Sequence, residues 1–130
     1  MKSATSTRLV FILLLISFTS PMVSASFEVA ISASPMAQEA DADNPAEYSI
    51  TVSNTGDEDM TVNLGTSQDP SNCNGFTSNV EQISGTVDAG TSETVTLTVT
   101  VNEQANGDCE TTVTATASAA VAAVTVDPVI

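Results

Sequence analysis

The chain has 130 residues, with sixteen Asp and Glu against two Lys and Arg, no His, and a formal charge of −14. A polypeptide so poor in cations cannot displace counterions from phosphates, which excludes nucleic acid and, on the same ground, an anionic membrane surface as partners. It also lacks the general bases and oxyanion clamps on which most nucleophilic catalysis depends.

Its two cations, Lys2 and Arg8, open the chain and lead into the apolar run LVFILLLISF (9–18). Pro21 ends that run, and Val23-Ser24-Ala25 supplies the small residues a signal peptidase reads, which predicts cleavage before Ser26. The run is shorter than the roughly 20 residues needed to span a bilayer, and no Cys stands near the cut to carry a lipid. Residues 1–25 therefore read as a signal peptide and 26–130 as one exported domain, secreted or at the cell surface. Removing the two cations takes the formal charge from −14 to −16. Such a body repels itself, and molar salt relieves the repulsion by shrinking the Debye length from about 10 Å to about 3 Å. Archaeal filament subunits also join an apolar segment to an acidic sandwich, but their cleavage site precedes that segment, whereas the site here follows it.

Beyond residue 26, apolar residues alternate with polar ones at the period of a strand. FEVAISA (27–33) puts Phe27, Val29, Ile31 and Ala33 on one face, and the turn signal ADADNP follows. EYSITVS groups Tyr48, Ile50 and Val52, runs into the tip N-T-G-D-E-D, and returns as MTVNL with Met60, Val62 and Leu64 together. After DPSNCNG, the segment NVEQIS (79–84) reads as a less regular strand. TVTLTVTV (94–101) turns Val95, Leu97, Val99 and Val101 one way and its threonines the other. CETTVTATA (109–117) aligns Cys109, Thr111, Val113 and Ala115, and VAAVTV (121–126) closes the series. About seven short strands separated by such turns predict an all-β, antiparallel sandwich, its apolar faces buried and its threonines in water.

Cys73 and Cys109 form an even pair in a chain that reads as exported, which predicts a disulfide. It closes a loop of roughly 37 residues, worth about 4 kcal/mol on the chain-entropy model. The competing readings are poorer. Two thiolates without His or further Cys make an incomplete zinc site, and no base stands by to activate a thiol.

The order of YSITVSNTG (48–56), DAGTSETVTLTVTV (88–101) and ANGDCETTVTATA (105–117) resembles an immunoglobulin-like accessory family. Its relatives include the alpha-galactosidase-associated Ig-like domain and the cell-adhesion-related bacterial (CARDB) domain. The resemblance covers about 48–126 and rests on structural motifs: a strand entering an N-x-G turn, an Ala-Gly-led long strand, and the opening of a closing hairpin. It implies an immunoglobulin-like fold and a non-catalytic role in binding, adhesion or cell-surface structure, toward a protein or cell-surface partner.

The acids are the remaining candidates for chemistry. Paired carboxylates can run glycoside hydrolysis, but that needs one acid raised by burial, and the Asp57-Glu58-Asp59 tip offers no apolar pocket. Calcium takes six or more oxygens, and two clusters offer them: Asp57, Glu58 and Asp59, and Glu39, Asp41, Asp43 and Asn44. Neither matches the EF-hand loop, and charge runs usually serve as solvated turns. Carbohydrate recognition favours exposed aromatic platforms. Here Trp is absent, Phe27 and Tyr48 fall at inward positions, and Phe76 reads as a loop anchor. A calcium- or carbohydrate-binding accessory domain is thus the alternative function. Finally, FEVAISA and VAAVTV are the expected sheet edges, and neither carries a Lys, so edge-strand self-association is a further expectation.

Overall fold

The computed structural model describes residues 27–69, 73–105, 107–118 and 120–130, and the signal segment lies outside them. The described chain forms eight strands and no helix: β1 (Val29–Ser34), β2 (Ala37–Glu39), β3 (Ala46–Asn54), β4 (Asn63–Gln68), β5 (Phe76–Val80), β6 (Ser92–Val101), β7 (Thr111–Ala117) and β8 (Ala120–Val129). They make two four-stranded sheets, ordered β1-β3-β6-β5 and β2-β8-β7-β4.

Alternation dictates the core. In β3 the inward Ala46, Tyr48, Ile50 and Val52 are buried, as are Leu97, Val99 and Val101 of β6, and Val113, Ala115 and Ala117 of β7. Each fully buried Val, Leu or Ile contributes about 1.5–3 kcal/mol of transfer free energy, so a two-layer core of this kind suffices for one small domain. The outward positions carry hydroxyls, some paired across strands: Thr51 with Thr94 at 3.2 Å, Ser53 with Ser92 at 2.8 Å, and Thr112 with Thr125 at 2.9 Å.

Four expectations change. The sandwich is not wholly antiparallel, because β2 lies parallel to β8, with Ala37 opposite Asp127. The chain leaves the first sheet after β1 and enters the second as β2, which lies beyond the predicted first strand FEVAISA. Met60, Val62 and Leu64 are buried as expected, yet Met60 only bridges Val87, and the strand proper starts at Asn63. The middle strand is β5, earlier than NVEQIS, so Phe76 begins a strand and packs in the core. Phe27 precedes β1 and is 45% exposed; alternation projected past the strand's start put it inside.

Of the expected edges, β1 is one. β8 is paired with β7 over Ala120–Val126 and with β2 only at Asp127–Val129, so its other edge is covered only in part. The opposite side is closed by side chains. The Gln82 carboxamide accepts from the Leu64 N–H at 3.1 Å and donates to the Leu64 carbonyl at 2.7 Å, plugging the β4 edge as a strand would. The Ser78 hydroxyl reaches Thr66 Oγ1 between the sheets at 2.9 Å.

Candidate functional site

The carboxylates fall at the two ends of the sandwich. At the end where β3 stops, Asp57, Glu58 and Asp59 are all exposed. The residue that organises the tip is Asn54, an inward position of β3 with 1% exposure. Its Nδ2 donates to the carbonyls of Glu58 (2.7 Å) and Val87 (2.9 Å), and its Oδ1 accepts from the Gly56 N–H (3.0 Å). Its backbone bonds Thr91 and Gly90, and the neighbouring Thr55 N–H bonds the Glu28 carbonyl ahead of β1. Asp59 accepts from the Ala89 N–H at 2.9 Å, tying the tip to the 85–91 turn. One Asn side chain thus joins the two turns.

At the other end, Asp41 holds its own turn. Its carboxylate accepts from the backbone N–H groups of Asp43 (2.9 Å) and Asn44 (2.8 Å) and from the Asn44 side chain. The Asn44 carboxamide, then the Asp43 amide, hold the Asp41 carboxyl below its ordinary value. Glu39, Ala40, Asp41, Asn44 and Ile130 line an open depression of about 440 Å³. Among the described residues, no three His, Cys, Asp or Glu converge as metal ligands do.

Close by lies a pairing of acids that the sequence did not announce. Thr111 opposes Val126 and Asp108 bridges Val129, so the register sets Glu110 opposite Asp127 with Asp108 on the diagonal. One Asp127 oxygen is shielded from water and unpartnered, and burial, then the charges of Asp108 and Glu110, raise its carboxyl above the usual value. Tyr48 crosses the core toward the same corner, where its buried hydroxyl makes no hydrogen bond. Burial, then the Asp127 charge, push this phenol up to about 12; the Gln38 backbone, near the hydroxyl but outside hydrogen-bonding geometry, opposes them weakly.

Cys73 and Cys109 are disulfide-bonded and buried, with Cα atoms 4.9 Å apart, which suits an oxidising compartment. The bond pins the loop before β5 to the start of β7. Gly75, at φ +87°, lets that loop approach the 102–105 turn, where an added Cβ would come within 2.7 Å of the Ala105 nitrogen. Period two puts Asn54 inward only once β3 is known to reach it; Asp127 and Gln82 depend on long-range register that no local pattern carries. Compared with known proteins, the chain matches no family model and no curated protein.

Proposed function

We propose that the chain is an exported immunoglobulin-like module that acts through its surface, in binding, adhesion or cell-surface structure, and carries no catalytic role. The observation that carries this reading is the strand order. With β1 and β2 taken as the two halves of a first strand A, the sheets run A-B-E-D and A′-G-F-C, the arrangement of constant-type immunoglobulin domains. The cysteine pair departs from the antibody pattern by joining the loop before β5 to the start of β7.

The acidic turns support the same reading. Asp41 and Asp59 are engaged by amides of turns, so their carboxylates act as connectors. The outer strand faces present mostly Ser and Thr hydroxyls, with few charges, a polar surface suited to contact with another macromolecule. The test is to recover the protein from culture supernatant and surface washes of the producing cells and add it back to intact cells. Expected are a start at Ser26 and retention on the cells. Protein confined to the cytoplasm with residues 1–25 attached, or turnover of polysaccharide or peptide substrates, overturns the reading.

A further inference from the structure

The sixteen acids are unevenly placed. None lies between residues 29 and 38 or between 111 and 126, the stretches that build β1, the crossing into β2, β7 and most of β8. Of the exposed large hydrophobic residues, Met36 and Val121 fall within these stretches, and Phe27 and Ile130 lie just outside them. The outward residues of β4, of β7 and of β8 up to Thr125 are Asn63, Gly65 and Ser67, Thr112, Thr114 and Thr116, and Val121, Ala123 and Thr125, without a charge; the first acid on β8 is Asp127, beside β2.

β8 also offers unpaired backbone. The Asp127 N–H donates to the Met36 carbonyl and the Val129 carbonyl accepts from the Ala40 N–H, so odd-numbered residues of β8 direct their backbone groups away from β7. No strand is hydrogen-bonded to that side of Val121, Ala123 and Thr125, because β2 begins opposite Asp127, although β1 of the other sheet packs close to β8. An uncharged edge with unpaired backbone groups is a template for another strand. The other edges are less inviting: Gln82 occupies β4, β2 is three residues long, Glu28 adjoins β1, and β5 is five residues long, runs into Glu81 and is tied to β4 by Ser78.

We infer that the free half of β8 is a seam between two copies of this chain, paired antiparallel about a two-fold axis at Ala123. The occupant follows from fit and charge. Around that axis Ala123 faces Ala123 and Val121 faces Thr125 of the other copy, each pair exchanging both backbone bonds. The pairing ends opposite Val126, at the other copy's Ala120, the first residue of its β8. Neither copy's β2 is displaced. Two strongly acidic bodies can approach only where both are neutral, and this seam is neutral on both sides. The inference rests on strand geometry and stands apart from what the module binds.

Sedimentation equilibrium of the secreted domain, over a concentration series in 0.1 M and 1 M NaCl, tests it. The expected result is a dimer whose dissociation constant falls in high salt, as screening removes the repulsion. Ala123→Glu sets two carboxylates on the axis, and Ala123→Pro removes an N–H that the monomer's own ladder does not use; each weakens dimerisation at least tenfold with unchanged circular dichroism. If the proline variant misfolds, the Glu variant, at an exposed site, decides alone. A monomer under all conditions, a dimer weakened by salt, or a dimer indifferent to both substitutions overturns the seam.

Discussion

The two ends of the sandwich solve the same problem differently. Where β3 ends, every polar atom of the buried Asn54 side chain has a partner, and two turns close on it. At the opposite end, a phenol oxygen and a carboxylate oxygen are buried without partners and carboxylates face one another across strands. That is the end where the disulfide sits. A satisfied buried network holds itself, whereas a frustrated one needs covalent reinforcement. The difference teaches where this protein spends its staple.

Breaking the staple should have the largest effect. Replacing Cys73 and Cys109 by Ala should cost about 4 kcal/mol, a melting temperature lower by roughly 20 °C for a domain of this size. Hydrogen exchange should show early loss of protection at β2, the end of β8 and the loop before β5, while amides around Asn54 stay protected. Uniform loss of protection would mean that the ends are not independent. The next effect comes from the other end. Asn54→Ala strands the Gly56 N–H and the Glu58 carbonyl and should cost about 3 kcal/mol, with protection lost first in the 55–59 and 85–91 turns. The Val87 carbonyl keeps its bond from the Met60 N–H, so the loss is bounded.

How much of this was legible beforehand follows from the range of each interaction. β3, β6 and β7 announce themselves because period-two alternation is a local signal, and most of their inward residues were readable; Ala46, Asn54 and Ala117, at the strand ends, were not. β2 was not, since its three exposed residues carry no alternation and owe their strand to β8 alone. Phe27 and NVEQIS misled for one reason: alternation fixes the phase of a strand but not its ends. The acidic candidates were visible as residues, but Asp59 as a tie to Ala89 and Asp127 opposite Glu110 exist only after thirty or seventeen intervening positions are folded into register.

The frustrated end can also be relieved. Asp127→Asn removes the like-charge opposition and should stabilise the domain near neutral pH by about 0.5 kcal/mol. The sign follows from linkage. A carboxyl raised above its ordinary 3.8 binds its proton more tightly when folded, so its contribution is complete in acid and is lost as pH rises through the folded value. The Asn variant should therefore match the parent in acid and gain on it upward from about pH 4. Equal stability across that range would show that Asp127 is not under the strain argued here.

Tyr48→Phe should have the smallest effect at neutral pH, because the hydroxyl it removes has no partner and the ring that fills the core remains. Its consequence appears in alkali. A phenol raised from 10 to about 12 favours the fold below pH 10, and that support is lost as pH climbs toward 12, where ionisation puts a charge inside the core beside Asp127. The chain has one Tyr and no Trp, so tyrosinate absorbance reports this single group. Ionisation and unfolding should coincide in the parent, and the Phe variant should stay folded to higher pH. Tyrosinate appearing near pH 10 in a still-folded protein would mean that water reaches the hydroxyl, and the contrast between the two ends would then lose its sharpest term.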